Sequence, residues 1–188
     1  MINKINIYEN YYSWWKNIDK TILFLIISFF VAGLFFSLVS TSLIASDRLD
    51  TNSYYFFIKH FLFILLGLFI MFVFSVIEEN YLIKISLLLF IISFLLLLMV
   101  RIIGVEIKGS QRWLDLPFIP RFQPIELIKP FYIVMLASLL NYKKYNLYFK
   151  YLLSLLLIIP IVLLLISQPD IGQSMLIVFT WMALIFVS

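Results

Sequence analysis

Glu126 and Lys129 stand three residues apart, so on a helix they share one face and can form an ion pair. The pair follows a Gln-Pro step, Gln123-Pro124, and a second step, Gln168-Pro169, precedes Asp170. Each step opens an apolar run, and each run carries an acid in its first turn. A helix start presents unpaired N–H groups and the positive end of the helix dipole, which together accommodate negative charge. Lys108, Arg112 and Arg121 lie just upstream, with Gly104 and Gly109 supplying a flexible backbone and Trp113 suited to a membrane interface. These residue types describe a polar, mostly basic mouth with a Glu–Lys pair at its floor. The chemistry they suit is the binding of an anion attached to a lipid, with phosphate at the helix ends and bases and hydrocarbon between spans. The same residues also read as purely structural: Glu126 and Asp170 as helix caps, Lys129 as a structural partner of Glu126, Lys108 and Arg112 as solvated loop charges.

The elements that must hold these residues follow from composition. Of 188 residues, 64% are hydrophobic and 13% charged, about half the charge of an ordinary soluble domain. A water-soluble fold of this size could not cover so much apolar side chain, whereas a chain in lipid need not. The expected fold is therefore an all-α, polytopic transmembrane bundle. Charge-free runs place spans at about 21–46, 61–77, 85–104, 124–142, 151–169 and 171–188, with a cytoplasmic segment at 1–20 and an outer basic loop at about 105–123. The fourth span is the informative one. Its charge-free part, 130–142, is too short to cross. Extension back to Pro124 gives 19 residues, about 28 Å of helix, and draws Glu126 and Lys129 into the membrane. Pro124 then occupies the first helical position, where its missing N–H costs nothing. Pro130 and Pro160 are expected to kink the fourth and fifth spans. Trp14, Trp15, Tyr11 and Tyr12 read as an interfacial anchor and His60 as a headgroup-level residue. The apolar run is still open at Ser188, as expected of an N-terminal portion of a longer protein.

With the N-terminus inside, Lys and Arg divide seven to seven between the two sides; without the bases flanking and within 105–123 the split is seven to two, favouring a cytoplasmic N-terminus. That outer loop and its flanks, Arg101 to Lys129, keep five bases against the usual bias, which points to an anionic ligand. Bases dispersed between apolar runs exclude nucleic acid as a partner. There is no cysteine and a single histidine, so disulfides, thiolate catalysis and a His-rich metal site are excluded. No dinucleotide, phosphate-loop, zinc-protease or serine-hydrolase motif occurs. No cofactor is expected, and a divalent cation is left open.

Three blocks carry a resemblance: 104–113 (Gly-Val-Glu-Ile-Lys-Gly-Ser-Gln-Arg-Trp), 122–129 (Phe-Gln-Pro-Ile-Glu-Leu-Ile-Lys) and 167–173 (Ser-Gln-Pro-Asp-Ile-Gly-Gln). Together, and in this order, they resemble the N-terminal part of the SEDS family (shape, elongation, division and sporulation). The Trp14-Trp15 approach to the first span, with Ile18-Asp19, is similar to the division-type members. The resemblance implies a fold of about ten spans and a peptidoglycan glycosyltransferase that polymerises lipid II, an undecaprenyl-pyrophosphate disaccharide-pentapeptide. Such an enzyme acts on the outer face of the bacterial inner membrane at the division septum, with a class B penicillin-binding protein and other division proteins. By position, Arg112, Glu126, Lys129 and Asp170 match the family's polar cavity residues, and Gln123, Pro124, Gln168 and Pro169 its helix starts. Lys108 joins them as a candidate substrate contact. Ile125 departs from the usual Ser. The aspartate to which the family's catalysis is assigned lies in a later outer loop, beyond residue 188, so this segment alone is expected to be inactive. Two other readings use the same residues: a flippase for the same lipid, and a non-catalytic scaffold for division partners.

Overall fold

The computed structural model describes residues 12, 14–49, 54–107, 109–117 and 119–188. Among the described residues the helices with full bounds are α1 (Lys20–Leu49), α2 (Tyr55–Val76), α3 (Glu79–Ile103), α4 (Pro124–Asn141), α5 (Leu147–Ser167) and α6 (Ile171–Val187). Five of them are long and apolar enough to cross a membrane, and α6 is a shorter apolar helix of 17 residues. Large apolar side chains such as Phe29, Phe69, Leu163 and Phe179 point outward along them, which only a lipid surround makes favourable. The chain is a membrane protein. It divides into two compact units, residues 1–77 and 78–188.

In the first unit α1 packs on α2. Asp19 caps α1, its Oδ1 accepting from the backbone N–H of Thr21 at 2.8 Å and of Ile22 at 3.1 Å. Trp14 is more than a headgroup anchor. Its indole N–H donates to Ser75 Oγ at 3.0 Å and its ring meets Phe72 edge-on at 5.2 Å between centroids, which fastens the approach to α1 onto the end of α2. His60 lies across Gly33 of α1, its ring 3.7 Å from where a Cβ there would stand. Tyr11 lies outside the described residues.

The second unit holds a single core with helical spacing. Phe90 and Leu97 on α3, Ile125, Ile128, Tyr132, Leu136 and Leu140 on α4, Ile158, Ile161 and Leu165 on α5, and Ile177 on α6 are buried together. Steps of three, four and seven residues set each apolar stripe on one face. Buried serines interleave them (Ser86, Ser93, Ser154, Ser174). Lipid offers apolar side chains no drive to associate, so close approach at small residues and dispersion hold such helices together. Ser154 adds a polar tie, accepting from the Trp181 indole N–H at 3.1 Å while donating to the Tyr151 carbonyl at 2.7 Å.

The helices run beyond the charge-free stretches at several ends. α2 and α3 begin six residues earlier than expected, with Lys59 and Lys84 in their opening turns. α5 starts at Leu147 because Asn146 caps it, accepting from Phe149 N–H at 3.0 Å, and because Lys150 turns its ammonium back to the Leu140 carbonyl at 2.7 Å. A charge-free run marks hydrocarbon thickness; capping groups mark where the helix ends. Pro130 and Pro160 both lie inside continuous helices.

The stretch expected as a loop at 105–123 is an antiparallel sheet. Its strands are β1 (Val105–Ile107), β2 (Ser110–Leu116) and β3 (Ile119–Phe122), in that order. Ile107 pairs with Ser110, and beside the pair Gly109 adopts φ +81°, a conformation glycine takes without steric cost. β2 packs against α3 and α4 through Leu114, which is fully buried. The joint between α3 and β1 is Gly104, whose N–H closes the helix on the Val100 carbonyl at 2.9 Å. A Cβ there would stand 2.2 Å from that carbonyl oxygen, a backbone atom that cannot step aside. Gly104→Ala should therefore destabilise the protein by about 1–3 kcal/mol. Gly67→Ala, in a helix with open space at the Cβ position, should be neutral or stabilising. Thermal melting of the two variants in one detergent checks the difference; equal shifts would refute it.

Candidate functional site

The candidate site is at one end of the second unit, where β2 and the first turns of α4 and α6 meet. α4 begins at Pro124 with Gln123 at the capping position, and Gln123 makes no side-chain cap bond there. At the α5–α6 turn Asp170, not Pro169, is the cap of α6; Pro169 precedes it. Asp170 Oδ1 accepts from Gln173 N–H at 3.4 Å, so the capping reading of this acid describes a contact it makes. It also has a second partner. Strand β2 carries Arg112 to the same turn, where one guanidinium nitrogen lies 3.4 Å from Asp170 Oδ1 and another donates to the Pro169 carbonyl. The Asp170 side chain is 6% exposed and that of Arg112 33%. The carboxylate is thus withdrawn from water and faces a cation that compensates its burial.

From α6 the network crosses to α4. Gln173 donates its amide N–H to Glu126 Oε1 at 2.8 Å, and its amide oxygen accepts from Lys129 Nζ at 3.2 Å. Lys129 Nζ is 2.6 Å from Glu126 Oε2, closing the triangle. Arg112, Asp170, Gln173, Glu126 and Lys129 are therefore one connected set spanning β2, α6 and α4. Arg101, at the end of α3, donates to the Ser167 carbonyl at 3.0 Å and so also reaches the α5–α6 turn.

The other candidates are placed differently. Gln168 is buried, 2% exposed, and its amide reaches the Leu97 carbonyl at 3.4 Å, tying the end of α5 to α3 instead of facing outward. Arg121 pairs with Asp115 on the exposed β2–β3 hairpin. Lys108 lies outside the described residues. Gln173 and Arg101 were not singled out from the sequence. Gln173 follows Asp170 by three residues, the spacing of a capping box, and that was its available signal. Its side chain nevertheless turns away from the cap to the neighbouring helix.

The set holds two cations and two carboxylates beside two helix N-termini, with donors left over. Lys129 has a third ammonium hydrogen, and the Arg112 Nε–H is buried without a partner. Residual donors on otherwise neutralised cations suit an incoming anion, which gains hydrogen bonds without meeting a large uncompensated charge.

Residues 20–188 match the FtsW/RodA/SpoVE family model, described as cell cycle protein. The chain belongs to this family. Among FtsW/RodA/SpoVE relatives, a probable peptidoglycan glycosyltransferase FtsW of Wigglesworthia glossinidia brevipalpis is 32% identical over 173 residues, covering 90% of this chain and 45% of the relative. The corresponding protein of Coxiella burnetii is 33% identical over 175 residues, with 90% and 46% covered. The solved structure of the rod shape determining protein RodA of Thermus thermophilus superposes with a TM-score of 0.64 at 29% identity, over 82% of this chain and 52% of that one. A peptidoglycan synthase complex described as coordinating polymerization and crosslinking contains a chain matching with a TM-score of 0.62, over 82% and 46%. The chain thus spans less than half the length of the curated relatives it matches. The family and its helical membrane fold are those that the three sequence blocks resemble.

Proposed function

We propose that this chain forms the anion-binding N-terminal part of a peptidoglycan glycosyltransferase that polymerises lipid II during bacterial cell division. The observation that carries the reading is the connected set of Arg112, Asp170, Gln173, Glu126 and Lys129 at two helix N-termini. When sugars of a lipid-linked pyrophosphate are joined, pyrophosphate is the leaving group. Donors fixed around it stabilise the charge that develops on the departing oxygens. In this reading Lys129 and Arg112 supply those donors, with the amide ends of α4 and α6 beside them. The reading assigns the base that takes the acceptor hydroxyl proton to the later loop that the family resemblance implies, not to these residues. The reading invokes no cofactor.

In this reading the N-terminus is cytoplasmic and the site lies on the outer face of the inner membrane, at the septum, as the seven-to-two division of bases supports. A class B penicillin-binding protein is the proposed partner, supported by the match to a synthase complex that couples polymerization to crosslinking. The test uses the purified product of the complete reading frame in liposomes with labelled lipid II and the partner present. Glycan polymer is the expected product. Translocation of the lipid without polymer would overturn the reading in favour of a flippase. Residues 1–188 alone should bind undecaprenyl pyrophosphate in nanodiscs and make no polymer.

A further inference from the structure

Gln173 is the one neutral side chain in the set, and it touches both charged groups of α4 from a different helix. Its amide orientation is dictated: the N–H₂ end meets the Glu126 carboxylate and the oxygen meets the Lys129 ammonium. Reversal would set donor against donor and acceptor against acceptor. Its backbone N–H is held in turn by Asp170, which Arg112 grips from β2. The side chain therefore rises from an anchored cap. Glu126 alone leaves Lys129 free to swing, because an i,i+3 pair with one half-exposed partner is a weak restraint. With Gln173, two of the three ammonium hydrogens are fixed by groups on two helices, and the direction of the third follows.

We propose that Gln173 is a positioning residue: it locks the Lys129 ammonium so that its remaining hydrogen is presented to the anionic group of the lipid ligand. This rests on the proposed function for the identity of the ligand, but not for the lock itself. The lock makes Lys129 less reactive toward amine reagents, since both partners crowd the nitrogen and hold it in place.

The experiment takes the 188-residue chain in nanodiscs and measures two quantities. The first is the rate of amine labelling at Lys129 relative to Lys84, read by mass spectrometry. The second is affinity for undecaprenyl pyrophosphate. Gln173→Met, similar in length but without donor or strong acceptor, should raise relative labelling of Lys129 several-fold and weaken binding about tenfold. Gln173→Glu keeps an acceptor for Lys129, so labelling should stay low, while the added carboxylate beside Glu126 weakens anion binding further. Melting of each variant within a few degrees of the parent shows that the fold is retained. Unchanged labelling of Lys129 in Gln173→Met overturns the proposal, as does a rise shared equally by Lys84, which would mark general loosening. Normal binding by Lys129→Ala together with the expected labelling change would refute the proposed ligand and leave the lock standing.

Discussion

Arg112→Ala is expected to destabilise the protein by about 2–3 kcal/mol, more than any conservative change to its partner. Removing the guanidinium leaves the Asp170 carboxylate, 6% exposed, without its cation. Breaking a wholly buried pair from one side costs about 3–5 kcal/mol; one-third of Arg112 is in water, which lowers the figure. The Pro169 carbonyl loses a donor in the same step. Arg112→Lys should recover only part of the loss, because one point-charge ammonium cannot serve a carbonyl and a carboxylate in the fixed fork of a guanidinium. Asp170→Asn is milder, about 1 kcal/mol, since the side-chain oxygen still caps α6 and the exposed edge of Arg112 can hydrate. Equilibrium unfolding in mixed micelles of the single and double variants checks this. Equal costs for Arg112→Ala and Asp170→Asn, or strict additivity in the double variant, would mean that the pair carries no coupling.

What the sequence makes legible here is local. Pro124 marks the start of α4 because a proline at the first helical position is tolerated for a reason that needs no tertiary context. Glu126 and Lys129 meet because helical geometry alone brings i and i+3 together. Gln173, by contrast, reaches Lys129 across 44 residues, and Arg101 reaches Ser167 across 66. Such contacts depend on which helix lies beside which and on the rotation of each, neither of which spacing encodes. Gln168 shows the converse. Its place in a Gln-Pro step suggested a residue facing the ligand, yet packing turns its amide onto the Leu97 carbonyl of α3, whose second lone pair can take a donor besides the helix's own N–H. The sheet at 105–122 left a fainter trace. The Lys-Gly turn and the alternation of Trp113, Leu114, Asp115 and Leu116 are hairpin signals, but β1 has only three residues and lies beside runs whose hydrophobicity dominates any reading of span and loop.

The ion pair on α4 gives the second large effect, and the sign separates its two members. Lys129→Ala should weaken binding of undecaprenyl pyrophosphate by about 10–100-fold, the worth of one charge-assisted hydrogen bond of about 1.5–3 kcal/mol. Glu126→Gln should act the other way. Glutamine preserves an oxygen for Lys129 but withdraws the negative charge that competes with the ligand for the same ammonium, so anion affinity should rise a few-fold. Little stability should be lost in the process: the Glu126 side chain is 51% exposed, and an ion pair in that setting contributes about 1 kcal/mol or less. Lys129, 22% exposed, keeps the Gln173 oxygen and does not become a stranded charge. Titration of the ligand into nanodiscs carrying each variant, at two salt concentrations, measures both signs, and Lys129→Ala should also flatten the salt dependence. If Glu126→Gln weakened binding as much as Lys129→Ala does, the carboxylate itself would have to contact the ligand or a cation bound with it, and Lys129 would then serve to orient Glu126 rather than to receive the anion.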